Sequence, residues 1–328
     1  MMKLALFSAQ KYEQPFFERN LTEYAESVSL SYFEQSLNSN TTPLCQGFDA
    51  VCVFVNDTVD KHVIADMAAL GIKAILLRCA GFNNVDLDAA KEHNIKVCRV
   101  PAYSPEAVAE HCIALMLTLN RKTHKAFNRV REGNFDLNGL LGFNLFKKTI
   151  GIIGCGKIGL ALVNILNGFG AKVLVCDPMA GEGPYTLCDL DTLLTQSDVI
   201  SLHCPLNEHT HHLIDASAFK KMKDGVMLIN TSRGALLDTQ ACIQALKSKK
   251  LGHLGLDVYE QESELFFKDH REEIMQDDIF SRLISFPNVL VTGHQGFFTQ
   301  EALSEIACTT LQSANEISQG LPLTNEVI

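Results

Sequence analysis

The sequence predicts an α/β protein made of two open parallel-sheet domains. Its 328 residues suit two domains better than one. Short apolar runs alternate with helix-patterned segments along most of the chain, the signature of strands joined by crossover helices. Two of those runs, 199–204 and 226–231, are nearly all apolar, as expected for strands buried on both faces.

In the first third, residues 3–7, 50–55, 74–77 and 96–100 read as strands. Residues 60–70 and 87–93 read as helices between them, which implies a parallel sheet. Arg78-Cys79-Ala80-Gly81-Phe82-Asn83-Asn84 follows one strand. Ligands of open parallel sheets bind beyond the carboxyl ends of the strands. The Ala80–Gly81 backbone therefore reads either as a pair of N–H donors for an anion or as an ordinary turn. Val100 to Glu106 reads as the crossing between domains. Ser104 can cap the helix that follows, Pro105 suits its first turn and Glu106 its positive end. That helix runs towards Arg121 and is apolar nearly all round, so it is expected to be buried between domains. His111 on it reads as a satisfied buried histidine.

The stretch from Thr149 to Gly159 organises the remainder. An apolar run leads into Gly154, Gly156 and Gly159, spaced G-x-G-x-x-G. A helix pattern from Lys157 to Gly168 follows, then an apolar run from Lys172 to Cys176 that ends at Asp177. Strand, glycine turn, helix, strand and acid in this order hold a dinucleotide. Gly154 permits the turn, Gly156 lets the backbone approach a pyrophosphate, and Gly159 lets the helix pack on the strand. The helix N-terminus favours the phosphates. Asp177 can accept both ribose hydroxyls of NAD, and its charge repels the extra phosphate of NADP. Further strands are expected at 199–204, 226–231, 253–258 and 288–292. A short helix in the 240s is expected to end at Leu251–Gly252. Residues 260–278, rich in acids and carrying two phenylalanines, read as a solvated surface excursion. A last helix spans 299–320, before a short tail.

Composition bounds the partners. A formal net charge of −10 speaks against nucleic acid and anionic membranes. No apolar run reaches the length of a membrane span, and Met1 to Ser8 reads as a first strand rather than a signal peptide. The 11 cysteines are scattered without a C-x-x-C pair, which fits reduced thiols and a cytoplasmic location. His209, His211 and His212 read as an exposed loop near the cofactor. No metal is expected there, since no further ligand has suitable spacing.

Three polar residues follow three separate apolar strands: Arg233, Glu262 and His294. An arginine can grip a carboxylate with two parallel hydrogen bonds. A histidine can deliver or accept a proton near neutral pH, and a carboxylate can orient it and favour its charged form. Taken singly, each reads equally well as a salt-bridge or surface residue.

Together, Gly154-x-Gly156-x-x-Gly159, Asn230-Thr231-Ser232-Arg233-Gly234, Asp257-Val258-Tyr259-Glu260-Gln261-Glu262 and Gly293-His294-Gln295 resemble the D-isomer-specific 2-hydroxyacid dehydrogenases. The runs from Arg78 to Asp86 and from Val100 to His111 are similar to the subgroup of bacterial fermentative D-lactate dehydrogenases. The resemblance covers nearly the whole chain. It implies two Rossmann-like or flavodoxin-like domains, an NAD-binding domain at 101–296 being inserted into a substrate domain at 1–100 and 297–328. It implies that Arg233 binds the substrate carboxylate, that His294 is the acid/base and that Glu262 is its partner. Ala80 and Gly81 would hold the carboxylate, and Tyr103 and Phe297 would line the pocket. Lys157 and Ile158 would lie against the pyrophosphate. Cys204, Pro205, Thr231, Ser232 and Asp257 would flank the nicotinamide half. The expected reaction is NADH-dependent, reversible reduction of pyruvate to D-lactate by a homo-oligomer, either dimer or tetramer. A dehydrogenase for a bulkier 2-keto acid and an NAD(H)-sensing protein without turnover are the alternatives. Formate enzymes of the family carry glutamine where this chain has Glu262.

Overall fold

The computed structural model describes residues 1–262, 265–267 and 269–328. The chain forms two compact units, Met1–Ser104 with Phe297–Ile328, and Pro105–Gly296. The sequence expectation breaks the chain after residue 100. The packing breaks it after Ser104, because Val100 still donates its N–H to the Cys79 carbonyl of the first unit.

The first unit holds five strands: β1 (Met2–Leu6), β2 (Val28–Tyr32), β3 (Ala50–Val53), β4 (Ala74–Leu77) and β5 (Lys96–Arg99). They pair in the order β2-β1-β3-β4-β5, every pair parallel. This is the flavodoxin-like order. β3 and β4 are buried at every position, which is why they read as unbroken apolar runs. Helix α1 (Gln14–Leu21) packs against α11 (Gln300–Gln319), and α11 also covers β1, β2 and β4. Phe17, Leu4, Leu76, Ala307 and Leu311 share one apolar cluster there. Helices α2 (Lys61–Ala69) and α3 (Leu87–Glu92) are capped by Asp60 and Asp86, whose carboxylates accept first-turn N–H groups. The sequence reading missed α1 and β2. Only Phe17 of α1 is buried and no side chain caps it, while β2 is a sheet edge with Val28 alone fully covered.

Among its described residues the second unit holds seven strands: β6 (Thr149–Ile153), β7 (Lys172–Cys176), β8 (Thr186–Leu187), β9 (Val199–Leu202), β10 (Val226–Asn230), β11 (Leu251–Leu256) and β12 (Val289–Val291). Their order is β12-β11-β10-β9-β6-β7-β8, again all parallel. Chain order reverses between β6 and β9, the switch point at which doubly wound sheets bind dinucleotides. Helix α4 (Pro105–Arg121) buries Ala109, Cys112 and Met116 completely against α6 (Lys157–Gly168) and the sheet. Aspartates 189, 215, 238 and 277 cap α7 (Leu190–Gln196), α8 (Ala216–Lys221), α9 (Thr239–Lys247) and α10 (Asp278–Ile284). The helix of the 240s does not reach Leu251. Lys249 turns the chain at a φ of +62° and Leu251 already opens β11. The excursion at 260–278 is not wholly solvated, because Phe266 is buried beside Tyr259 and Phe280. Ser263, Glu264 and Lys268 of that stretch lie outside the described residues.

One buried ion pair fixes the carboxyl edge of the first unit's sheet. Arg78, at the end of β4, is 1% exposed. Its Nε donates to Glu13 at 3.0 Å and an Nη to the Ser8 carbonyl at 2.8 Å, while the guanidinium lies 5.0 Å from the centre of the Phe54 ring. Removing one partner of such a pair strands the other charge in a poor solvent. Arg78→Leu is therefore expected to destabilise the fold by about 3–5 kcal/mol, measured by urea denaturation. The Arg78→Leu, Glu13→Leu double variant should lose less than the single one. Equal or greater loss would mean that packing rather than charge pairing holds this edge.

Candidate active site

A parallel sheet sends the carboxyl ends of all its strands to one edge. In the second unit that edge receives the glycine turn after β6, Asp177 after β7, Cys204 and Pro205 after β9, Thr231 to Arg233 after β10, Asp257 to Glu262 after β11, and His294 after β12. β10, β11 and β12 are consecutive neighbours. Strands in a sheet are about 4.8 Å apart, so the exits that carry Arg233, Glu262 and His294 span roughly 10 Å.

The glycine turn has the form a dinucleotide needs. Gly154 has a φ of +89°, and a Cβ on it would lie 2.4 Å from the Cys204 amide nitrogen. A Cβ on Gly159 would lie 2.3 Å from the Gly154 carbonyl oxygen, so α6 can start this close to β6 only without a side chain there. Gly156, in contrast, faces open space. It occupies the N-cap position of α6, where no side chain satisfies the first-turn N–H groups. Lys157 is exposed and Ile158 half-buried on that first turn. The Asp177 carboxylate sits over the turn, accepting the Cys155 N–H at 2.6 Å and the Met179 N–H at 2.8 Å. Open backbone, free helix amides and an adjacent carboxylate together fit the pyrophosphate and adenosine ribose of NAD.

Towards the centre of the edge, Cys204 and Thr231 are buried. Ser232 donates its hydroxyl to the Cys204 carbonyl at 2.8 Å, and Thr231 lies 3.0 Å from the Cys112 sulfur. Burial pushes the Cys204 thiol up to about 11 and that of Cys112 up to about 12, so both stay protonated and unreactive. All 11 cysteines are free thiols.

Glu262 and His294 meet directly. Imidazole Nδ1 lies 2.9 Å from Glu262 Oε1, with the two side chains only 16% and 22% exposed. The Tyr259 N–H donates to the other carboxylate oxygen, Oε2, at 2.9 Å and so fixes its orientation. The Phe267 ring lies 5.8 Å from the imidazole centre. Arg233 is held by its own turn. The buried Asn230 amide donates to the Arg233 carbonyl at 2.8 Å and accepts the Ser232 N–H at 3.0 Å. Gly234 lets this turn press on the exit of β11, since a Cβ there would lie 2.1 Å from the Tyr259 carbonyl carbon. The arginine turn and the glutamate turn are thus in contact through their backbones.

Asp257 makes contacts that the sequence reading did not assign to it. Its Oδ1 accepts the Thr292 hydroxyl at 2.5 Å and the Gln295 N–H at 2.9 Å, and its Oδ2 accepts the Gly296 N–H at 2.7 Å. Its carbonyl accepts the His294 N–H at 2.7 Å. His111 lies 3.0 Å from the Thr292 hydroxyl and 3.3 Å from Asp257, and is satisfied as expected. The sequence assigns no role of their own to Asn230, Gly234 and Phe267. An asparagine at a strand end and a glycine after an arginine are weak signals without a partner in view. The histidine run also gains a neighbour that its spacing did not offer: Glu260 lies beside His212.

The remaining candidates lie in the first unit. Ala80 and Gly81 form the turn after β4, where the Ala80 carbonyl accepts from Arg99 at 2.9 Å. Phe297 is buried, with the ring centres of Tyr103 and Phe54 at 6.3 Å and 5.9 Å from its own.

The chain is similar along its length to proteins of one family. Residues 113–296 match the family model for the D-isomer specific 2-hydroxyacid dehydrogenase NAD binding domain. The chain is 50% identical to a D-lactate dehydrogenase of Escherichia coli K12, over 100% of both chains. It is 51% identical to a 2-hydroxyacid dehydrogenase homolog of Haemophilus influenzae, over 100% of this chain and 99% of the other. The apo structure of D-lactate dehydrogenase from Escherichia coli superposes with a TM-score of 0.90 at 48% identity, covering 100% of both chains. The chain belongs to the D-isomer-specific 2-hydroxyacid dehydrogenases, oxidoreductases that use NAD.

Proposed function

We propose that the protein reduces pyruvate to D-lactate with NADH, reversibly, and that Arg233, Glu262 and His294 carry the chemistry. The observation that supports this most is the Glu262–His294 pair at 2.9 Å, on the same sheet edge as the dinucleotide turn. Bound NADH supplies the hydride. Glu262 engages imidazole Nδ1, which leaves Nε2 to give a proton to the substrate's keto oxygen during reduction and to take it back during oxidation. Arg233 grips the substrate carboxylate and stabilises negative charge developing on the keto oxygen. Ala80 and Gly81 are assigned amide contacts to the same carboxylate, and Tyr103 and Phe297 the wall beside its methyl group. Lys157 and Ile158 are assigned backbone contacts to the pyrophosphate. Cys204, Pro205, Thr231, Ser232 and Asp257 are assigned the nicotinamide half.

We also propose a cytoplasmic homo-oligomer. Phe135, Leu137 and Leu141 are 73%, 78% and 89% exposed, and Phe127 and Phe146 are exposed nearby in sequence. Such apolar surface favours pairing with a second copy. No described helix is long and apolar enough to cross a membrane.

The test is NADH oxidation with pyruvate, glyoxylate, hydroxypyruvate, phenylpyruvate and a branched 2-keto acid. The highest kcat/KM is expected with pyruvate. A bulkier acid winning would keep the mechanism and change the substrate. Tight NADH binding without oxidation of any would favour a sensor. His294→Ala is expected to lose at least about a hundredfold in kcat while NADH binding survives, because a positioned acid contributes that much or more. Turnover near wild type would remove His294 from the mechanism. Arg233→Lys keeps the charge and loses the fork. It should raise KM for pyruvate and lower kcat/KM by roughly tenfold or more, the equivalent of one charge-assisted hydrogen bond. An unchanged KM would count against the carboxylate clamp.

A further inference from the structure

We propose that His211, His212 and Glu260 form a binding site for one divalent transition-metal ion of the zinc class. Sequence spacing gives the histidine run no additional ligand, but the fold brings a carboxylate from 48 residues away. One donor atom from each of the three residues lies within 4.8 Å of the other two. His212 Nε2 and Glu260 Oε1 are 2.7 Å apart, and the two imidazole rings stack at 4.0 Å with a 24° tilt. Among the described residues this is the one group of such donors.

The donor chemistry selects the ion. Two imidazoles and one carboxylate suit zinc, copper or nickel rather than magnesium or calcium, which prefer oxygen alone. Ligands about 2.1 Å from a tetrahedral zinc lie roughly 3.4 Å from each other, so the 2.7 Å His212–Glu260 pair must open by roughly 0.7 Å while the widest separation, within 4.8 Å, closes by at most roughly 1.4 Å. His211 is exposed and can make that adjustment by changing rotamer. Three protein ligands leave the fourth position to water.

The surroundings orient two of the three donors. Thr239 donates its hydroxyl to Glu260 Oε2 at 2.8 Å, which turns Oε1 towards His212. His212 has a φ of +50°, and its N–H donates to the Ala235 carbonyl at 2.8 Å. Partners that fix a ligand in this way strengthen metal binding. The His212 and Glu260 side chains are 34% and 27% exposed, open enough for an ion to enter. A bound ion would tie the 207–212 loop to the exit of β11, where Glu260 lies. The site stands on its three side chains, whatever the reaction assigned above.

The test uses the full chain, without an affinity tag and kept reduced, titrated with Co2+ and then with competing Zn2+. One ion per chain is expected to bind, with a cobalt spectrum that lacks a thiolate charge-transfer band. Affinity should fall at least about tenfold in His211→Gln and in Glu260→Gln, since losing a ligand costs no less than losing a residue that supports one. His209→Gln should bind like wild type. His211→Gln alters only an exposed ring, so a change in its affinity is not a folding effect, and a thermal melt checks this. Wild-type affinity in both His211→Gln and Glu260→Gln would overturn the proposal. So would a thiolate band accompanying the bound cobalt, or no binding of either ion by the wild type.

Discussion

The Asp257 carboxylate is the interaction on which the candidate active site depends. Three hydrogen bonds to its oxygens and one to its carbonyl wrap residues 292–296 around the exit of β11. They hold His294 at a φ of +54°, a left-handed conformation that costs a non-glycine residue about 1–2 kcal/mol. The hydrogen bonds offset that cost. Burial works to raise the Asp257 pKa, and the hydrogen bonds from His111 and Thr292 with the His111 charge outweigh it, leaving the group below the ordinary carboxylate value. The stabilisation is therefore present above that ordinary value and is lost as the pH falls through the lowered one. Without this anchor, the imidazole would have no fixed position relative to Glu262.

The parallel sheet of the second unit gathers the candidate residues on one edge. Cofactor turn, arginine turn, glutamate and histidine all leave the same edge of one sheet. The spacing of those exits is set by strand pairing, and hydrogen bonds beyond the strand ends fix the residues that follow. Gly154 and Gly234 each allow two backbones to approach where a methyl group would collide, and these approaches join neighbouring exits. The burial of Cys204 and Thr231 lines the middle of the edge with groups that neither ionise nor react near neutral pH. In the proposed reaction, a hydride donor and a proton donor on one framework would need little reorganisation to act together.

Much of the frame was legible because its signals are local. The buried strands β3 and β4 are continuous apolar runs, β9 and β10 nearly so, and the glycine turn is bracketed by strand, helix and acid. Elements with weak local signals were not legible: α1 buries only Phe17, and β2 lies at an edge. The end of the helix in the 240s was misplaced because Lys249 makes its turn in a conformation that favours glycine, with no glycine to mark it. At the site, the residue types at strand ends were readable one by one. The double service of Asp257, the Asn230 clamp and the approach of Glu260 to His212 are long-range contacts, and sequence periodicity carries no record of them.

The central claim is that this edge delivers hydride and proton to a small 2-keto acid with a fixed hand. The most direct measurement is chiral resolution of the lactate formed from pyruvate and NADH by the wild-type protein. The account predicts the D isomer alone, formed in step with NADH oxidation. L-lactate, a racemic product, or NADH that binds without being oxidised would contradict it.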